Sequence, residues 1–317
     1  MPAMVTHYLF ERRVAAILKK EGHPVADREL AEIGAQGPDI FFFHRVMPWQ
    51  RGVSHVPEGK KLHKISPARL FEGFREVINR TEEPDRTRMI GYVQGFFCHY
   101  ALDRAAHPFV LYWQDRLAKE QPDYGTTPNQ YHFRIESALD TLTLRRETGR
   151  LMKDFNLTTV LPPDTDGRQI VVGRLFKPLF DHLLGTVDAQ VKNISLAPAD
   201  MRQALFFMTD RAMLRQKLLL RPVERLSRHG HFASSLMRPL DTGDWDYGNE
   251  AHREWHNPFD ASYTSRDSFA DLYDLAAAEA ADMIRAFVQA LPEGISMREI
   301  TQDRGFSSDL PGIYEIK

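Results

Sequence analysis

Apolar residues return at helical intervals through almost the whole chain, as in "HYLFERRVAAILKK", "RMIGYVQGFFCHYALDRAA" and "SFADLYDLAAAEAADMIRAFVQAL". Strand-like alternation is scarce. Amphipathic stripes of this kind bury themselves against one another, so the chain reads as an all-α multi-helix bundle of roughly eight to ten helices. Start signals agree: Ser66 precedes Pro67 and Thr127 precedes Pro128, each an N-cap with proline at the first helical position. Stop signals are Gly22 after the first helix and Pro292 after the last. Two stretches break the pattern, residues 44–63 and the Gly-, Asp-, Trp- and His-rich region 229–264, and irregular loops of that length are often functional. Pro162–Pro163 with "DTDG" is the best linker candidate. It divides residues 1–160 from a helical extension, 161–317, expected to pack on the same domain.

A chain of 317 residues with 43% hydrophobic and 26% charged content can bury a large core, which excludes disordered and fibrous classes. The formal charge of −2 offers no global attraction to polyanions, so no stable nucleic-acid complex is expected. The basic runs "GKKLHK" and "RPVERLSRHGH" read as solvated faces. The single cysteine, Cys98, excludes an intrachain disulfide and reads as a small buried hydrophobe. The first residues lack the apolar core of a signal peptide, and no run reaches the roughly 18 apolar residues of a membrane span. A cytoplasmic protein without a transmembrane segment is expected.

The chemistry concentrates in two helical segments. "CHYALDRAAHPF" places His99, Asp103 and His107 at successive four-residue steps, and "YHFRIESAL" places His132 and Glu136 at the same step. That spacing projects side chains from one helical face. Imidazole nitrogen and carboxylate oxygen are metal ligands, and bundle sites are built from inward residues at helical spacing. Each residue alone could be a satisfied core histidine or a salt-bridge partner. Together they lie among apolar and small neighbours, "GYVQGFF" and "ALDRAA", where unpaired charge would be costly. Pro108 is expected to end or bend the helix beside His107. His7 sits at the head of the first helix, after Thr6 as a possible N-cap. Asp39 lies in "GAQGPDIFFF", whose glycines and proline fix a turn, with helix capping as its plain role. His63 falls in a loop one turn before Ser66.

Taken in order, His7, Asp39, His63, His99-x-x-x-Asp103, His107 and His132-x-x-x-Glu136 resemble the ligand string of the zinc-dependent phospholipase C family, which shares its all-α fold with the three-zinc single-strand nucleases. The resemblance covers roughly the first 140 residues. It implies one zinc held by Asp39, His63, His99 and Asp103, and a second served by His7 and bridged through Asp103. A third would take His107, His132 and Glu136. Secreted members complete the His7 metal with an N-terminal tryptophan, whereas no Trp precedes Trp49 here, so that metal could be incomplete. Their spacing between the residues matching Asp103 and His107 is also longer.

The reaction this implies is hydrolysis of a phosphate ester by metal-activated water, with Asp39 as the catalytic residue that orients or deprotonates the water. Two or three zinc ions are expected, though iron, manganese or nickel would suit the same ligands. The partner is a small phosphate-ester or phospholipid substrate. Phe41 to Phe43 and Trp113 could line an apolar lipid cleft or serve as core. A nuclease or 3′-nucleotidase of the same fold, and a non-catalytic protein stapled by metal, are the alternatives. In "WDYGNEAHREWHNPFDASY", His252, His256 and Asn257 are candidate substrate contacts on a lid. The plainer reading packs Trp245, Tyr247, Trp255 and Phe259 onto the bundle.

Overall fold

The fold is described from a computed structural model for residues 3–122, 126–209 and 242–307. Its helices are α1 (Met4–Lys20), α2 (Arg28–Gly34), α3 (Val56–Leu62), α4 (Pro67–Asn79), α5 (Asp85–Glu120) and α6 (Pro128–Thr148), followed by α7 (Ile170–His182), α8 (Val191–Ile194), α9 (Ala197–Met208), α10 (Phe269–Glu293) and α11 (Met297–Thr301). Short 3-10 segments cover Gly37–Phe43, Met152–Asp154 and Leu157–Val160. One antiparallel hairpin joins β1 (Trp255–Asn257) to β2 (Asp260–Ser265). The all-α expectation holds. The additional helices are short ones, and α3 lies inside the 44–63 stretch read as irregular, because seven residues are too few to show a helical period. The basic run 221–231 and residues 229–241 of the second irregular stretch lie outside the described residues.

The bundle is organised around α5. From Met89 to Trp113 its buried residues point in every direction, as expected of a helix with no solvent face. Helices α1, α2, α4, α6, α7 and α10 all lie against it. Glycines let α2 come closest: a Cβ on Gly34 would stand 2.0 Å from the Tyr92 carbonyl oxygen, and one on Gly95 1.9 Å from that of Ala31. Beyond the Pro162–Pro163 linker candidate, α7 packs on α4 and α5, and α9 on the Gly37–Phe43 turn.

Local signals succeed where the partner lies within the segment. Ser66 accepts from the Arg69 N–H, and Thr127 forms a capping box with Gln130. At Thr6, Pro108 and Pro292 the helix boundaries differ from the local signals. Thr6 is not an N-cap: α1 begins at Met4, and the Thr6 backbone N–H and hydroxyl both donate to Asp140 on α6, at 2.7 and 2.8 Å. Pro108 does not end its helix. It removes the donor to the Arg104 carbonyl, but packing on both sides, including Phe109 against Trp255 at 5.6 Å, carries α5 through to Glu120. Pro292 likewise lies inside the last turn of α10, which stops at left-handed Gly294 (φ 70°), and α11 follows.

The loop between Phe43 and α3 is pinned at both ends by two histidines. The His55 N–H donates to His44 Nδ1 at 3.0 Å, so Nε2 carries the proton and donates to the Asn193 carbonyl at 2.9 Å. Their rings stack at 4.9 Å, and the Ser54 hydroxyl donates to the His44 carbonyl at 2.7 Å. This closes the loop that joins the turn bearing Asp39 to the helix preceding His63.

Two predictions follow from these contacts. Gly95→Ala must push α2 from α5, and overpacking of this kind costs about 1–3 kcal/mol; an unchanged denaturation midpoint would contradict the close approach. Burial pushes His44 down to about 4. Between that value and the ordinary histidine pKa near ~6.5 the unfolded chain binds a proton that the folded chain refuses. Stability conferred by neutral His44 is therefore complete above that upper value and is lost as the pH falls towards 4, by up to about 3 kcal/mol. His44→Asn, whose amide oxygen can replace Nδ1 as acceptor, should flatten this part of the stability profile measured by urea unfolding.

Candidate metal centre

The eight ligand candidates come from five separate elements. His7 lies in the first turns of α1, Asp39 in the Gly37–Phe43 turn, and His63 at the C-cap of α3. His99, Asp103 and His107 occupy one face of α5, and His132 and Glu136 face them from α6. All eight converge. Three groups have ligand atoms within 4.8 Å of one another: Asp39 with His63 and His99; His7 with His99 and Asp103; His107 with His132 and Glu136. A tetrahedral zinc site with bonds of about 2.0–2.1 Å separates its ligand atoms by about 3.4 Å, so each group is of a size one ion can serve.

Asp103 is the hub. Its Oδ1 lies 3.2 Å from His7 Nε2, and its Oδ2 lies 3.1 Å from His99 Nε2 and 3.8 Å from His107 Nδ1. His99 is shared by two groups, and its ring stacks on His7 at 4.2 Å. His63 Nε2 stands 3.1 Å from Asp39 Oδ1. In the third group Glu136 Oε1 is 3.1 Å from His132 Nε2 and 3.8 Å from His107 Nε2. Gly37 makes the crowding possible: a Cβ there would sit 2.3 Å from the His99 ring, and its φ of +54° is one that side chains rarely adopt.

The outward nitrogens decide what the inward ones can do. Nδ1 of His63 faces the Gly59 carbonyl at 2.8 Å, that of His99 the Ala35 carbonyl at 3.3 Å, and that of His107 the Phe306 carbonyl at 2.9 Å. His132 Nδ1 faces Gln114 Oε1 at 3.1 Å. An oxygen acceptor requires the proton on Nδ1, so a neutral ring presents a bare lone pair at Nε2. In the cases of His63, His99 and His132 that lone pair points at a carboxylate oxygen about 3.1 Å away. Two acceptors at that distance repel unless a cation lies between them, either a proton or a metal ion. Such outward hydrogen bonds are the usual support of metal-ligating histidine.

Burial separates the two choices at His99. Removal from water lowers its pKa against the pull of Asp103, so a second proton is disfavoured there, and Nε2 is buried without hydrogen-bond geometry to any partner. At His63 burial also works against protonation, but the bond to Asp39 and the charge of Asp103 outweigh it and raise the pKa. Burial works to raise the Asp103 carboxyl, and His107, His99 and His7 overcome it, holding the group well below the ordinary range. Glu136 is lowered against the same burial, chiefly by His132. The carboxylates stay anionic and the donor set fits divalent transition ions.

A cavity of about 20 Å³ lies among His7, Asp103, His107 and Glu136, with Ala3, Val110 and Phe269 in its wall. This is room for about one water molecule. The ligands are otherwise enclosed; the side chains of His63, His107 and His132 keep 18%, 13% and 14% exposure, the largest among the eight and the direction from which solvent reaches them.

The structure does not bring His252, His256 or Asn257 into these groups. His252 is exposed and bonds the Arg266 carbonyl, His256 lies against Tyr112 with rings 4.8 Å apart, and Asn257 Oδ1 accepts from the Phe259 N–H. Trp255 and Tyr247 are buried while Phe259 is 41% exposed, so most of this stretch packs as the plainer reading has it. Phe41 and Trp113 are core residues. Sequence reasoning missed the supporting acceptors. Gln114 was accessible in principle, seven residues beyond His107 on the same face of α5, whereas backbone carbonyls such as that of Phe306 leave no mark in a sequence.

Compared with protein-family models, curated proteins and solved structures, the chain matches none.

Metal analysis of the purified protein tests this centre. Because Asp103 turns one oxygen to His7 and the other to His99, which two groups have in common, Asp103→Asn should lose more than one equivalent of bound metal, whereas His132→Ala should lose at most one. Equal losses from both variants would contradict a shared hub.

Proposed function

We propose that the protein is a metal-dependent phosphoesterase that hydrolyses a small phosphate ester, with zinc as the ion held by the three groups. The observation that carries the reading is the adjacency of the groups around Asp103, which turns one oxygen to His7 and the other to His99, the residue common to two groups. A structural ion needs one closed set of ligands, whereas adjacent groups joined by a carboxylate suit a clamp on a phosphoryl group. The ordered likeness to the zinc-dependent phospholipase C ligand string, His7 through Glu136, supports it independently of the geometry.

When bound, such ions polarise phosphoryl oxygens and lower the pKa of water towards ~7. The chain's own residues supply the rest. Asp39 is the carboxylate assigned to accept the proton of the attacking water. Burial works to raise its pKa, but nearby positive charge, including the contributions of His63 and His99, keeps it anionic. His63 and the Gly37 turn hold it in place. Apolar walls from Leu102, Val110 and Phe269 exclude bulk water near Asp103 and His107, which strengthens electrostatic contacts inside.

No helix among the described residues is long and apolar enough to cross a membrane. The substrate is proposed to be a small phosphodiester or phospholipid headgroup, and the cytoplasm the place of the reaction. The 3′-nucleotidase alternative shares the same chemistry.

Zinc-loaded protein should release product from a chromogenic phosphocholine diester, and chelation should abolish it. Asp39→Asn should lower kcat by about 10²-fold or more, the scale of a lost general base. Greater activity on a 3′-nucleotide would assign the nucleotidase reading. Zinc binding that raises the melting temperature with no hydrolysis of either substrate would leave only a structural staple.

A further inference from the structure

The segment after α11 reaches ligands of two of the three groups through one residue. Phe306 is 1% exposed, and its carbonyl accepts from His107 Nδ1 at 2.9 Å. Its ring lies 5.4 Å from that of His63 and 6.1 Å from that of His99. One residue therefore fixes the tautomer of a ligand in the third group and covers two ligands of the first.

This segment is held in place by a dedicated set of bonds. The Tyr100 hydroxyl, one position along α5 from His99, donates to the Thr301 carbonyl at 3.1 Å and the Arg304 carbonyl at 2.6 Å. Asp303 accepts from the Ser66 hydroxyl at 2.5 Å and the Ala68 N–H at 3.1 Å. Between these anchors Gln302 and Asp303 have φ of +54° and +50°, a region that non-glycine residues rarely occupy and that persists where surrounding contacts enforce it. The bonds are spent on placing Phe306.

We propose that Thr301–Phe306 is a clasp on the metal centre, with Phe306 as a positioning residue that retains the ions by covering His63 and His99 and by orienting His107. The proposal rests on the reading that the three groups hold metal. An ion leaving the Asp39, His63 and His99 group must exchange its ligands for water, and the buried Phe306 ring lies against two of those three ligands. Escape then requires the clasp to lift, which breaks the His107 bond as well.

The test is the rate at which the zinc-loaded, full-length protein gives up zinc to a colorimetric chelator in excess. Phe306→Ala should release zinc at least tenfold faster than wild type, and Phe306→Leu, which refills most of the volume, should fall between them. Tyr100→Phe, which loosens the anchor without touching the ring, should accelerate release several-fold. Phe259→Ala, at an exposed site on the hairpin, should leave the rate unchanged. Phe287→Ala, a core variant whose ring packs on Phe97 rather than on a ligand, calibrates general destabilisation. Release from Phe306→Ala within twofold of wild type, or no faster than from a core variant of equal melting temperature, overturns the clasp. Should Phe306→Ala fail to fold, an unchanged rate in Tyr100→Phe overturns it instead. A wild-type protein that binds no zinc removes the metal reading itself, whereas zinc bound and released at unaltered rates removes the clasp alone.

Discussion

Neutral imidazoles aimed at carboxylates in a dry interior form the constraint on which the rest of this molecule turns. Three histidines are obliged by outward acceptors to present bare nitrogens to anionic oxygens about 3.1 Å away. Buried charge is tolerated only when paired, and here histidine supplies a compensating proton unevenly: its uptake is favoured at His63 and disfavoured at His99. A divalent cation in each group would resolve the conflict at all three positions. The ends of α1, the Gly37–Phe43 turn, α3, α5 and α6 then depend on one centre. Without it their ligand faces would repel at short range.

The scaffold that meets this constraint is set largely by α5 and its glycines. Thirty-six residues give a helix about 54 Å long, enough for most of the bundle to pack along it. Gly34 and Gly95 allow α2 to lie against α5 backbone to backbone, and α2 runs almost directly into the turn that bears Asp39. The depth of that packing therefore sets how near Asp39 comes to His99. On the far side of the same turn, the stacked His44 and His55 shorten the path to α3 and so deliver His63. The first ligand group is thus an outcome of close helix packing on one flank and a pinned loop on the other.

Much of this was legible from residue types and spacing, and what was not has a common cause. His99, Asp103, His107, His132 and Glu136 could be placed because an α-helix converts spacing into a shared face without help from elsewhere. His7, Asp39 and His63 needed the ordered likeness to a known ligand string, since nothing local distinguishes a ligand from a capping residue or a surface histidine. Thr6 and Pro108 misled for the same physical reason. The first finds its acceptor on α6, at Asp140, and the second is carried by packing of Phe109 on Trp255. Pairing across more than a hundred residues overrides what a segment prefers alone. The supporting acceptors at Ala35, Gly59 and Phe306 are backbone carbonyls, available from any residue type and therefore silent in the sequence.

Enclosure bears directly on what the proposed chemistry could accept. Closed coordination suits a staple, yet a staple has no use for groups that share ligands, because placing cations side by side raises their mutual repulsion. Placing groups side by side around the two oxygens of Asp103 suits an anionic group that must be neutralised from two sides, as a phosphoryl group must. The cavity beside Asp103 and His107 admits about one water, so the described interior has room for a nucleophile rather than for a polymer. A substrate would have to present its phosphate from the side where His63, His107 and His132 keep their remaining exposure. That geometry favours a compact phosphate ester, or a headgroup at the end of a longer molecule, over a strand that must thread past the ions.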